Sequence, residues 1–344
     1  MTLPINQIIR GDALEVLRTL KSESVNCFLT SPPYWALRDY GVEGQLGLEP
    51  TFQEYITKLC DIFDEVKRVL RKDGTCWVNL GDCYSSDSSY SENGRQGFGN
   101  DKIGMMNKSK GQFLKATDTE RMGMKGGRLK GGKVFNKKSL IMIPERFAIE
   151  MCDRGWILRN KIIWHKRNGM PSSVIDRLGN KYEIVYFFSK NTDYYFDLDS
   201  IRIPFETDEK RPAGIIRERE KGYNTKFGTK TREMEDTARK FGSRRPPSAS
   251  SEYERNPKGK NPGDVWSLNL QPSNEKHIAM FPEKLISPMI LSGCPKGGVV
   301  CDPFFGAGTT GVVAKKLSRN YIGIELNPKY IKLAERRLAQ QVLL

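Results

Sequence analysis

The chain of 344 residues is 38% hydrophobic and 28% charged, a soluble globular balance with room for one large domain with insertions or for two ordinary domains. Its 56 Lys and Arg stand against 41 Asp and Glu, and the resulting net charge of +15 points to an acidic partner. Seven cysteines with no CxxC pair read as reduced core residues of an intracellular protein, and two histidines, His165 and His277, leave no zinc site with workable ligand spacing, so no metal is expected.

Met1 to Arg10 has no apolar signal-like run, and no uninterrupted apolar segment nears eighteen residues. The expectation is a cytoplasmic protein that neither spans a membrane nor is secreted. Ile5 to Arg10 predicts a short strand, Ala13 to Leu20 a helix and Val25 to Leu29 a second strand, together a βαβ unit. Apolar residues from Phe52 to Leu70 recur at three-to-four-residue spacing and predict a long amphipathic helix ending near Lys72-Asp73-Gly74. A strand from Cys76 to Leu80 follows. The stretch from Tyr84 to Lys138 holds 12 basic and 5 acidic residues, and the stretch from Phe205 to Pro262 holds 15 and 10, so most of the excess charge sits there. Both lack apolar periodicity and read as loops or mobile insertions that grip nucleic acid. Arg244 and Arg245 in the second stretch, with Lys166 and Arg167, are the DNA-facing candidates.

Between the basic stretches the pattern predicts a helix (Pro144 to Arg154) and strands at Leu158 to Trp164 and Glu183 to Ser189. Beyond them come a helix (Pro282 to Leu291), a strand (Gly298 to Asp302), a glycine loop, a helix (Thr310 to Leu317), a strand (Tyr321 to Leu326) and a last helix (Lys329 to Gln341). Such alternation predicts an α/β fold, a doubly wound Rossmann-like sheet that is mostly parallel.

In Asp302-Pro303-Phe304-Phe305-Gly306-Ala307-Gly308-Thr309-Thr310-Gly311 a GxGxxG pattern lies between a strand and a helix, with Glu325 at the end of the next strand, 19 residues past Gly306. Glycines let backbone approach a nucleotide, and the carboxylate suits ribose hydroxyls. Asp302 would repel a dinucleotide pyrophosphate but attract the ammonium and sulfonium of S-adenosylmethionine, so that cofactor is favoured over NAD. A nucleotide-binding sheet continues from the acid-bearing strand to a third, which the C-terminus lacks. The N-terminal strand ending at Asp12 can supply it, and Asp12 can meet the adenine amino group. The order then reads as a circular permutation with adjacent termini and one continuous sheet built from 1–83 and 282–344.

Thr30-Ser31-Pro32-Pro33-Tyr34-Trp35 follows the strand from Val25 to Leu29, at a strand end where open α/β sheets hold ligands. Two prolines stiffen the corner and remove two N–H donors. The Ser31 hydroxyl and the Pro32 carbonyl can accept both hydrogens of an exocyclic amino group, and Tyr34, with Trp35 beside it, offers a face to a flipped base.

With TSPPYW (30–35), FPEKL (281–285), DPFFGAGTTG (302–311) and GIEL (323–326), the chain resembles the amino-directed DNA methyltransferases of the permuted beta class, especially those making N4-methylcytosine. GDALEVL (11–17), GTCWVNLGD (74–82) and WILRNKIIWHKRNGMPSSVIDR (156–177) extend the match. The resemblance implies a catalytic corner of Ser31, Pro32, Pro33 and Tyr34. It implies cofactor contacts from Asp302, Phe304, Gly306, Gly308, Thr309, Thr310 and Glu325, with Asp12 and Ala13 near the adenine and His277, Phe281 and Pro282 near the methionine end. The expected segments are two catalytic parts at 1–83 and 139–204, a basic mobile insertion at 84–138, a target-recognition region at 205–262 and a cofactor-binding half at 263–344.

The expected reaction moves a methyl group from S-adenosylmethionine to cytosine N4 in duplex DNA by base flipping and direct displacement. A neutral serine hydroxyl gives way to either base, so adenine N6 stays open. More distant readings are an RNA or protein-amide methyltransferase and a nucleic-acid-binding protein without catalysis. Cytosine C5 chemistry lacks its Pro-Cys nucleophile. The expected partners are double-stranded DNA and a cognate restriction endonuclease acting separately.

Overall fold

A strand covered on both faces reads as an unbroken apolar run, and Val25-Asn26-Cys27-Phe28-Leu29-Thr30 is buried at five of its six positions. It belongs to an eight-stranded sheet in the computed structural model, which describes residues 3–85, 136, 138–169, 171–205, 256–270 and 282–340. In chain order the elements are β1 (Gln7–Arg10), α1 (Ala13–Thr19), β2 (Val25–Thr30), α2 (Phe52–Val69), β3 (Leu70–Leu80), α3 (Ile143–Asp153), β4 (Ile157–Lys166), β5 (Tyr182–Ser189), β6 (Val265–Leu268), α4 (Glu283–Gly293), β7 (Val299–Asp302), α5 (Thr309–Lys316), β8 (Asn320–Glu325) and α6 (Pro328–Gln340). All lie in one unit, Met1–Ile201 with Pro262–Leu344. A second unit, Arg202–Asn261, contains an antiparallel bridge between Ile203 and Lys260.

The strand order is β1-β8-β7-β2-β3-β5-β4-β6, and β5 alone runs antiparallel to its neighbours. First and last strands of the chain are therefore side by side, with Arg10 opposite Glu325. Segments 1–83 and 282–344 supply five adjacent strands, as the permuted order requires. Successive residues of β2 alternate between two cores. Phe28 joins Leu17, Leu59, Phe63 and Phe147 from α1, α2 and α3, whereas Cys27 and Leu29 join Leu285, Met289, Val313 and Leu338 from α4, α5 and α6. Helices on both faces of a mostly parallel sheet make the doubly wound α/β fold.

Two local features differ from the sequence pattern. Lys72-Asp73-Gly74 does not separate helix from strand: β3 starts at Leu70, which pairs with Val25, and the register shifts before Thr75 pairs with Cys27. Gly74 permits this, because a Cβ there would lie 2.4 Å from the Leu70 side chain and 3.0 Å from the Asn26 carbonyl. The edge strand β6 is new. Four residues of alternating exposure against β4 carry too little periodicity to be seen in sequence.

The ends of the first basic stretch are pinned together. Tyr84 bridges Leu140, the Ser85 amide donates to Ser139 at 2.8 Å, and the Lys138 amide donates to Ser85 at 3.0 Å. Asp82 accepts amide hydrogen bonds from Cys83, Met142 and Ile143, which ties the end of β3 to the start of α3.

Candidate active site

Because β2 and β7 are parallel neighbours, their carboxyl ends emerge side by side. The Thr30 hydroxyl donates to Asp302 Oδ1 at 2.6 Å, the Thr310 hydroxyl to Oδ2 at 2.7 Å, and the Phe304 amide to Oδ1 at 3.0 Å. One carboxylate thus binds the corner after β2, the glycine loop and the first turn of α5. Asp302 is 1% exposed, and burial pushes its carboxyl up to about 6 despite these three donors. Asp302 therefore shapes the loop with its oxygens.

Gly306 and Gly308 adopt left-handed φ of 52° and 78°. At Gly308 a Cβ would also lie 2.8 Å from Ala334 of α6. Glu325 Oε2 accepts from the Gly306 amide and Oε1 from the Asn327 amide, both at 2.7 Å, so it fixes the loop from the next strand. Burial raises its pKa. Beside it, Tyr40 and Tyr330 meet edge to face at 6.0 Å. Neither tyrosine stands out in sequence: Tyr40 lies in a segment without periodic signal, and Tyr330 reads as one more residue of the last helix.

At the corner, Tyr55 donates to the Pro33 carbonyl at 2.8 Å, whereas no hydrogen bond reaches the Pro32 carbonyl among the described residues. Ser31 Oγ lies 3.4 Å from both Asn79 Oδ1 and Tyr34 Oη. Tyr34 Oη in turn is 2.9 Å from Glu183 Oε2 and 3.1 Å from Asn79 Oδ1, and its single proton goes to the nearer, charged acceptor. Lys166 completes the chain by pairing with Glu183. Burial first, and the Glu183 charge second, hold the Tyr34 hydroxyl well above its ordinary pKa, so it stays a neutral phenol. Trp35 is anchored away from this hydrogen-bond chain. Its indole N–H donates to the Glu49 carbonyl at 2.9 Å, and its ring packs edge-on against Phe52.

Residues 25–336 match the DNA methylase family of N6 and N4 methyltransferases. The chain belongs to that family. The type II methyltransferase M.Cfr9I of Citrobacter freundii is 36% identical over 332 residues, covering 96% of this chain and 87% of its own. Among solved structures, the cytosine-N4-specific PvuII DNA methyltransferase superposes with a TM-score of 0.57 at 20% identity, over 98% of this chain and 87% of its own. TTHA0409 of Thermus thermophilus, complexed with S-adenosyl-L-methionine, gives 0.53 at 22%, over 98% and 94%. These two likenesses concern the fold.

The remaining expected residues of the methylase are distributed unevenly. Asp12 caps α1, its Oδ1 accepting from the Leu14 and Glu15 amides, and Ala13 is buried behind it. Pro282 is buried at the start of α4, and Thr309 and Thr310 are buried at the start of α5. Lys166 turns inward to Glu183 with its ammonium 5.0 Å from the Trp164 ring, whereas Arg167 is exposed. His277, Phe281, Arg244 and Arg245 lie outside the described residues. Among the described residues no group of three His, Cys, Asp or Glu side chains could hold a metal, and no helix is long and apolar enough to cross a membrane.

Sequence reasoning passed over Asn79, Glu183 and Gly81. A Cβ on Gly81 would sit 2.5 Å from Tyr34 Cε2, so this glycine sets the depth of the tyrosine ring. Gly81→Ala should displace the ring and lower the turnover rate roughly 100-fold, the order expected for a misplacement of about 1 Å in a reacting site. Cofactor affinity, read by isothermal titration, should stay within about twofold, because the glycine loop is untouched.

Proposed function

We propose that the protein is a site-specific DNA methyltransferase that transfers the methyl group of S-adenosylmethionine to the exocyclic N4 of cytosine in duplex DNA. The observation that carries this reading is the 2.6 Å hydrogen bond from Thr30 to Asp302, which couples the Ser-Pro-Pro-Tyr corner to the glycine loop. A loop of glycines fixed by Glu325, with no cation among its residues 302–311, suits a phosphate-free nucleoside cofactor. Asp302, Phe304, Gly306, Gly308, Thr309, Thr310 and Glu325 hold it, with Asp12 and Pro282 at its two ends.

S-adenosylmethionine, when bound, supplies an electrophilic methyl carbon on a sulfonium. The corner does the rest. Ser31 Oγ and the Pro32 carbonyl accept the two amino hydrogens, which holds the nitrogen lone pair in line with that carbon. Tyr34, kept neutral, supports the base. The nitrogen becomes more acidic as its bond to carbon forms, and its extra proton leaves through Ser31 to water. Positioning supplies most of the acceleration, because the leaving group is already good.

Serine at the head of the corner, rather than a carboxylate, favours cytosine N4. Residues 205–262 serve target recognition, 84–138 add phosphate contacts, and a separate restriction endonuclease cuts unmodified sites in the same cytoplasm. Tritiated methyl transfer to duplex DNA, with RNA as control, followed by mass spectrometry of nucleosides, tests the reading. N4-methyl-2′-deoxycytidine is the expected product. N6-methyladenine would reassign the base, and label in RNA alone would reject DNA as substrate. Deleting 206–255 should abolish DNA methylation and leave cofactor titration unchanged; loss of both would put that segment in the cofactor domain.

A further inference from the structure

The loop between β4 and β5 carries two aliphatic side chains at the surface: Ile175 is 99% exposed and Leu178 is 91% exposed. One exposed leucine on a surface needs no explanation, but two at the tip of a single loop beside a reacting site do. The loop is braced. Lys166 N donates to the Lys181 carbonyl at 2.8 Å across its base, and Lys181 Nζ reaches the Gly169 carbonyl at 3.1 Å. A Gly179 Cβ would lie 3.0 Å from Ser172 Cβ, so the arms close on each other. Its far side docks on the neck of the basic stretch: the Arg177 guanidinium stands 3.7 Å from the Tyr84 ring centroid, and Asp176 pairs with Lys138 at 2.5 Å. These contacts hold the tip outward and prevent its collapse onto the protein.

The position of the loop identifies what it meets. Its stems are Lys166 and Glu183, the pair whose carboxylate receives the Tyr34 hydroxyl, so the loop rises directly from the catalytic corner. Exposed Arg167 and Lys181 stand at the two ends of the loop's base, and the one acid in the loop, Asp176, pairs with Lys138. An apolar point above a cationic base complements a duplex: phosphates meet the base, and stacked bases meet the point. Taking a base out of the stack costs a few kcal/mol and leaves a gap as wide as a base. We propose that Ile175 and Leu178 form a wedge that enters the duplex and fills the space vacated by the flipped base. This rests on duplex DNA being the substrate.

The test compares the parent enzyme with an Ile175→Ala/Leu178→Ala double variant on two duplexes, one with the target base paired and one with it mispaired. Both substituted side chains are at the surface, and cofactor titration reports on folding. The variant should lose roughly tenfold in kcat/KM on the paired duplex, which corresponds to about 1.4 kcal/mol. It should return to within about threefold of the parent on the mispaired duplex, where opening the pair is already cheap. In the parent, 2-aminopurine paired with thymine at the target position should brighten on binding, and in the variant this rise should shrink. Equal losses on both duplexes, or no loss on either, would overturn the wedge. A parent enzyme that methylates neither duplex would instead overturn the reading of DNA as substrate.

Discussion

Ser31→Ala should lower the single-turnover rate of methyl transfer to duplex DNA by roughly 100-fold while S-adenosylmethionine affinity stays within about twofold, the cost expected when one preorganised polar group is removed from a reacting site. The hydroxyl is fixed from both sides. Thr30 behind it is bonded to Asp302, and Pro32 and Pro33 ahead of it have fixed φ, with the Pro33 carbonyl tied to Tyr55. Asn79 Oδ1 and Tyr34 Oη offer acceptors for the serine proton, which leaves the oxygen lone pairs for an amino group. Alanine keeps the corner's shape and removes this acceptor alone. A variant retaining full rate would take Ser31 out of catalysis and leave the Pro32 carbonyl as the only acceptor in the mechanism.

The elements and the glycine loop are legible in the sequence because each is a local signal. A helix shows its 3.6-residue period, a buried strand its apolar run, and GxGxxG its backbone requirement. The permutation is also legible, since a missing third strand at one end and an acid-terminated strand at the other leave one arrangement. What one-dimensional patterns omit is who stands beside whom across the sheet. Asn79 reads as the polar exception in the apolar strand Cys76–Leu80, and Glu183 as an ordinary strand-opening residue. Only the order β2-β3-β5 brings Asn79 and Glu183 to Tyr34, the latter across 149 residues of sequence. Lys166 shows the same limit. A lysine facing phosphate and a lysine paired inside a pocket carry the same letter and the same charge, and Glu183 decides between them. For Asp302 the sequence reveals the charge but not the three donors that consume its oxygens.

Those donors make Asp302→Asn the other change of large effect, with S-adenosylmethionine affinity at pH 8 expected to fall at least roughly 100-fold. Hydrogen bonds to a charged group are worth about 1.5–3 kcal/mol each, and three of them converge on this carboxylate. The pH dependence separates its two roles. The folded carboxyl sits at about 6, above the ordinary aspartate value of about 3.9, so the native state holds this proton more tightly than the unfolded chain. The group's contribution to stability is therefore complete below about pH 4 and is lost as the pH rises through about 6. A sulfonium ligand requires the opposite form, the anion, so its affinity should climb over the same interval. Calorimetric titration with S-adenosylmethionine from pH 5 to pH 8 should show tighter binding toward the alkaline end, while the ligand-free melting temperature, after subtraction of the same profile for Asp302→Asn, should fall. A binding profile flat across pH 6 in the parent enzyme would mean that the cofactor does not feel this charge, and the glycine loop would then be held by Asp302 for geometry alone.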